Sequence, residues 1–452
     1  MSKPLRRCRE VVSRDREVLS QASRIAYYPL VVSRAEGSRI WDLDGNEYID
    51  LLSGAAVNNV GHCHPEVVQA IEAQARRLIH NTLGYSYYEL PVFLAERLVR
   101  LTPGSFPKRV AFGLSGSDSN DGAMKLARAA TGRPKILSFL GSYHGTTFGA
   151  LTLSAVTLKM KRRLGPLVPE VYHVPYADCY RCYFGLEYPS CNLRCVEYTR
   201  TMLEMLIPPD EVAAFILEPI QGDAGVVIPP REFWVEIKRL CDRHGILFID
   251  EEVQTGFART GKMFAIEHWG IEPDAVISAK PLASGLPMGV IVARKELMES
   301  WPAPAHLFTT EANPVVCAAA LATLDIIERE NLPERAGRLG EVVMERFREM
   351  MERFDLIGDI RGRGLLIGVE LVRDRDTKEP ARGEAMKVCW RAWERGLVMI
   401  SFGRCGNVLR IAPPLTIRED ELDEALGIVE ASIEDVVEGR VPDSVLQEMD
   451  AW

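Results

Sequence analysis

The sequence has no basic excess. It carries 54 Lys+Arg against 63 Asp+Glu, a formal net charge of -9, which argues against a nucleic-acid binder, since such a protein shows a basic face. It has no apolar run near the ~18 residues that a membrane-crossing helix needs. The opening stretch MSKPLRRCREVVSRDREVLS is charged throughout, with no apolar h-region, so no secretory signal is expected and the expected compartment is the cytoplasm. Internal repeats and low-complexity linkers are also missing. In a reducing compartment the ten cysteines are expected as core residues or ligands before disulfides.

What remains is a chain of 452 residues, 47% hydrophobic, ample for a large buried core. Residues 13–35 read as helical and then extended. In SRIWDLDGNEYIDL (38–51), the Asp44-Gly45 pair predicts a hairpin. From about 70 to 330 apolar strand-like runs recur, at 110–114, 135–140, 213–220, 245–250, 275–279 and 289–293, with amphipathic stretches such as 120–131 and 231–244 between several of them. Continuous apolar strands alternating with helices predict a mainly parallel sheet covered on both faces. The tail supplies a long helix (334–353), a strand (364–371), a helix (382–396) and a last helix (419–437). The expected division is a large α/β domain over 70–330 and a smaller α/β domain formed by 1–69 with 331–452.

In such sheets ligands bind at the carboxyl ends of the strands, and the polar motifs follow those ends. AVISAKPLASGLP (275–287) places Lys280 directly after a strand. A partly desolvated lysine loses its proton more easily and forms imines with carbonyl cofactors; on its own it reads equally as a surface lysine. SGSDSND (115–121) opens a helix, where small residues and first-turn N–H groups hold an anion or simply cap the helix. FIDEEVQTGFARTG (248–261) sets carboxylates and Gln254 at another strand end, and no histidine stands at a local spacing that would complete a metal set. A lysine, a phosphate-holding helix start and a strand-end carboxylate are together the parts of a pyridoxal 5'-phosphate site.

With these motifs in their order, from DLDGNEYIDLLSG (42–54) to NVLRIAPPLTI (407–417), the chain resembles the class III aminotransferases, fold-type-I pyridoxal-phosphate enzymes. The resemblance implies a homodimer or a tetramer of dimers with shared active sites. It makes Lys280 the Schiff-base lysine and proton carrier, with Gly116 and Ser117 at the phosphate. Thr309, in HLFTTEANP, would reach the phosphate of a neighbouring subunit. Tyr143, in GSYHG, would stack on the ring and Val253 pack on its other face. Gln254 would meet the phenolic oxygen, and Arg410 would receive the substrate α-carboxylate.

Three positions depart from the family pattern. Glu251 stands where aspartate is usual at the ring nitrogen; Asp250 is the other candidate, and strand alternation favours Glu251. Thr146 replaces an arginine that 4-aminobutyrate enzymes carry, which turns the expected substrate toward a neutral amino acid or an amine. Asp223, in LEPIQGDAGV, replaces the gating glutamate and, with HLFTT, is similar to racemases and epimerases on the same fold. The leading expectation is therefore an aminotransferase moving an amino group from a small-molecule donor to a 2-oxo acid. The alternative is a racemase or epimerase of neutral amino acids with Asp223 as a second base, and a further one is a non-catalytic cofactor-binding protein. Finally, CYRCYFGLEYPSCNLRC spaces Cys179, Cys182, Cys191 and Cys195 as Cx2C and Cx3C. That spacing suits a tetrahedral zinc, paired disulfides or a surface insertion with free thiols; the catalytic reading itself needs no metal.

Overall fold

A computed structural model describes residues 5–449. The described chain falls into two units, one holding residues 1–64 and 334–452, the other Pro65–Pro333.

The second unit is built on seven strands: β1 (Lys108–Gly113), β2 (Lys135–Phe139), β3 (Val171–Val174), β4 (Val212–Leu217), β5 (Leu247–Glu251), β6 (Ala275–Ser278) and β7 (Gly289–Arg294). Their order across the sheet is β1-β7-β6-β5-β4-β2-β3. β7 runs antiparallel to both its neighbours, and every other pairing is parallel. The mainly parallel sheet is thus as expected, and β7 is its exception. β3 was not legible, because VYHV is only half buried and lacks the apolar run of its neighbours. Every residue of β4 is buried, as a strand covered on both faces must be.

Two helices matter for the site. α1 (Gly116–Thr131) begins four residues earlier than its amphipathic pattern suggests, and α2 (Arg231–His244) lies on the expected residues. α2 carries Phe233 and Trp234 into an aromatic cluster with Phe139, Tyr176 and Phe215, with ring centroids 4.7 to 6.0 Å apart. Buried tyrosine and tryptophan need partners for their polar tips. Trp234 Nε1 donates to the Pro219 carbonyl at 3.2 Å, and Tyr176 Oη donates to the carbonyls of Glu218 and Pro219 at 3.0 and 3.1 Å. The packed core therefore fixes the turn that follows β4.

The first unit pairs the Arg39–Asp42 and Glu47–Asp50 strands antiparallel about the Asp44-Gly45 turn. A second sheet there holds Ile357–Arg363, Leu366–Asp374, Val408–Ile411 and Ile400–Phe402, each antiparallel to the next. The helices Leu332–Arg353, Arg382–Glu394 and Glu419–Val437 lie close to their expected positions.

Candidate active site

The ends of β2, β4, β5 and β6 bring the site residues of the second unit together. Lys280 begins the short turn after β6 with φ +38°. A non-glycine residue in the left-handed region costs roughly 1–2 kcal/mol, strain that persists where the fold imposes it and clusters at functional sites. Lys280 is half-buried and close enough to Glu251 to pull that carboxyl's pKa downward.

Glu251 closes β5 and is buried. Burial raises its pKa, opposed by Lys280 and by the Val253 N–H, which donates to its Oε1 at 2.9 Å. Its neighbour Asp250 is directed elsewhere: burial and the charge and hydrogen bonding of Glu252 raise its pKa well above the carboxylate range. Alternation along β5 separates the two acids, and Glu251 is the one beside Lys280.

Two residues not singled out from the sequence complete this face. Glu218 accepts the Tyr143 N–H at 2.8 Å on one carboxyl oxygen and the Gly222 N–H at 3.0 Å on the other. Burial and the nearby Glu251 charge raise its pKa. His144 is held neutral by burial, with its pKa lowered to about 4. Its Nδ1 lies 3.4 Å from Glu251 Oε2, and its Nε2 is 3.3 Å from Ser138 Oγ. His144, Glu218 and Glu251 offer ligand atoms within 4.8 Å of one another, so a histidine does reach the carboxylates, from a segment that local spacing could not connect. Both Glu218 oxygens and one Glu251 oxygen already accept backbone N–H groups, so the trio reads as a frame for Glu251. Each of the two missed residues lay beside a quoted motif, in YHG and in LEPIQGD.

At the other end, Ser115 caps α1 in a capping box: its Oγ accepts the Asp118 N–H at 3.3 Å and Asp118 Oδ1 accepts the Ser115 N–H at 3.1 Å. Gly116 and Ser117 occupy the same first turn, where helix N–H groups have no intrahelical acceptor. Ser117 Oγ accepts the N–H groups of Thr146 and Thr147 at 2.9 and 3.0 Å, stitching the loop after Tyr143 over the helix start. Thr146 itself is exposed. Gly116 is packed so closely on Val253 that a Cβ there would come within 2.8 Å of its methyls. Gln254 is buried, and its Oε1 has no hydrogen-bond partner. Asp223, half-buried in the turn after β4, raises the pKa of both Tyr143 and Glu251 by its charge.

Thr309 is not gathered into this cluster; it is exposed on the segment before the helix Pro314–Arg329. Arg410 belongs to the first unit, buried on Val408–Ile411, with its guanidinium carbon 3.8 Å from the centroid of the Phe402 ring.

The chain matches the family described as Aminotransferase class-III over residues 20–433. It is 49% identical over 443 residues to a leucine/methionine racemase of Thermococcus litoralis, covering 98% of this chain and 99% of that one. It is 46% identical over 433 residues to an isoleucine 2-epimerase of Lentilactobacillus buchneri, covering 96% of each. Among solved structures, a thermostable (S)-enantioselective omega-transaminase from Thermomicrobium roseum superposes with a TM-score of 0.88 at 33% identity, covering 95% of this chain and 99% of that one. The chain belongs to the class III aminotransferase family, a family of pyridoxal-phosphate enzymes acting on small molecules.

The residues present fit that cofactor. A buried amide oxygen without a partner, Gln254 Oε1, is where a phenolic hydroxyl can donate. A helix start with small residues suits a phosphate, and a buried acid at β5 suits a protonated ring nitrogen.

Proposed function

We propose that the chain racemises or epimerises neutral amino acids, with Lys280 and Asp223 as its two proton carriers. The carrying observation is Asp223 itself, a carboxylate in the Tyr143–Glu251 cluster on a chain segment separate from Lys280. Inverting a stereocentre requires removing a proton from one face and returning it to the other, so two groups are needed; transamination needs one. The relatives named as a racemase and an epimerase match almost their full lengths, which moves the weight from the aminotransferase expected first toward inversion.

Pyridoxal phosphate, when bound, supplies the electron sink that acidifies the substrate's α-C–H. The side chains supply the rest. Lys280 takes and returns the proton on one face. Asp223 does the same on the other. Glu251, framed by His144 and Glu218, offers the acid opposite the ring nitrogen, while Tyr143 and Val253 exclude water from the two ring faces. Gly116 and Ser117 hold phosphate, Arg410 takes the α-carboxylate, and Thr309 serves a neighbouring copy. Thr146, with no charge to offer a distal carboxylate, suits neutral side chains. Exposed Tyr85, Tyr87 and Phe93, at 85, 99 and 49%, support a homodimer that covers them.

Transamination stays as the second reading, favoured by the omega-transaminase that shares the fold. The test is to incubate holoenzyme with L-isoleucine, L-leucine or L-alanine and no 2-oxo acid acceptor. Many turnovers of the D- or allo-isomer per site are expected, and Asp223→Asn should lower that rate by about 100-fold or more. One 2-oxo acid released per site with no inverted isomer would overturn the proposal in favour of an aminotransferase.

A further inference from the structure

Between β3 and the helix Arg194–Met205 the chain makes an excursion, residues 175–193, in turns and bends without helix or strand. Loops of this length without secondary structure are uncommon in a folded domain unless something functional or a cross-link organises them. Past Asp178 the excursion is half-buried or exposed, so it brings little apolar burial of its own. Among its contacts with the rest of the unit, Tyr188 Oη donates to Glu232 at 3.0 Å, and Phe184 leans on Tyr198 with ring centroids 5.6 Å apart.

At its centre lies a cavity of about 20 Å³, and all four of Cys179, Cys182, Cys191 and Cys195 line it. That is the volume of a single small occupant. The four are free thiols. They arrive in two short-range pairs, Cys179 with Cys182 from one turn, Cys191 with Cys195 from the turn that starts the next helix.

We propose that these four cysteines bind one zinc ion as a closed, tetrahedral structural site that organises the excursion. The site is separate from the catalytic cluster and does not depend on which reaction that cluster performs. Zinc suits the donors: four thiolates are the soft set that holds it in structural sites, and paired spacings of two or three intervening residues are how one turn presents two sulfurs. On binding, the four thiols give up four protons and the completed group carries two net negative charges, beside which Arg194 lines the same cavity.

Among the described residues the set with ligand atoms within 4.8 Å is His144, Glu218 and Glu251, so the four sulfurs line the cavity without being drawn onto one centre, and zinc binding requires the two turns to close on each other.

The test is metal analysis of untagged holoenzyme, produced with added zinc and purified under reducing conditions. About one zinc per chain is expected, the stoichiometry of a closed four-thiolate site. Removing it with a chelator should expose four additional reactive thiols and speed proteolysis within 175–193, while the cofactor's visible absorbance stays unchanged. Replacing zinc by cobalt(II) should give the visible bands of tetrahedral cobalt thiolate. The Cys182→Ser, Cys195→Ser double variant should lose at least tenfold in zinc content and lack those bands. If that variant fails to fold, the zinc content and cobalt spectrum of the unaltered chain decide. Less than about a tenth of a zinc per chain would overturn the proposal, as would undiminished zinc in the double variant or disulfides in place of metal.

Discussion

The catalytic cluster and the cysteine excursion show two ways of holding side chains in place. The cluster draws on segments at 116–117, 143–146, 218–223, 251–254 and 280, far apart in sequence, each at the end of a strand or the start of a helix. Its acids are fixed by backbone donors, as when Glu218 takes the N–H groups of Tyr143 and Gly222. The excursion draws all four thiols from residues 179–195 and leaves much of its surface wet. In the first region the packed scaffold places the chemistry. In the second a few ligands would have to place the backbone. Substitutions in the cluster should therefore act on turnover or through buried charge, and those in the excursion on local order.

The largest effect should come from Lys280→Ala. General acid–base transfer contributes about 10²- to 10⁴-fold, and in the proposed role the lysine also anchors the cofactor, so turnover should fall beyond the upper end of that range and the cofactor's long-wavelength absorbance should vanish. Retention of both would break the distinction, because the cluster would then contain no chemically essential lysine.

His144 gives the next effect, read as stability. Its pKa is lowered from 6.5 to about 4 by burial, so the fold favours the neutral ring. That stabilisation is fully present above pH 6.5 and is lost as the pH falls through about 4. It amounts to about 3 kcal/mol, at 1.36 kcal/mol per pKa unit. Glu218 and Glu251 act in the opposite sense, since their raised pKa values make the fold bind protons more tightly and lose stability as the pH rises. The informative quantity is thus the difference between the unaltered chain and His144→Gln. Thermal midpoints from pH 7 to pH 4 should show the variant gaining on the parent as the pH drops. A constant difference would mean that His144 is not held neutral.

How much of this could be read from the sequence follows the same division. Strand-end motifs carry their position with them, so Lys280, Gly116 and the Glu251 segment were legible as parts of one site: a residue directly after a buried parallel strand faces the ligand crevice. The expectation of Glu251 rather than Asp250 at the ring nitrogen rested on alternation alone, and the structure sets Glu251 beside Lys280 and Asp250 beside Glu252. His144 and Glu218 escaped because their meeting depends on which strands are neighbours. β2 and β4 are adjacent in the sheet yet lie more than seventy residues apart in the chain, and no local spacing encodes that. The antiparallel β7 was hidden for a related reason, since a buried antiparallel strand has the same apolar run as a parallel one. The four cysteines were legible as a group, being contiguous, but their spacing does not show whether they enclose a common cavity.

A pair of glycines sharpens the comparison at the smaller end. At Gly222 a Cβ would sit 2.0 Å from Gln254 Oε1, so the end of that buried side chain must move. Gly222→Ala should displace Gln254 and cost about 2 kcal/mol, in the range of overpacked sites, with a rise in the cofactor's dissociation constant. At Gly185, in the cysteine excursion, φ is +65° and nothing lies within 4 Å of the added Cβ. Gly185→Ala meets only the left-handed backbone penalty of about 1 kcal/mol, and the excursion can absorb it locally. It should therefore leave turnover and cofactor affinity at parental values and show only as faster proteolysis within 175–193. A loss of turnover in Gly185→Ala equal to that in Gly222→Ala would mean that the excursion is mechanically tied to the catalytic cluster and that the two regions are one.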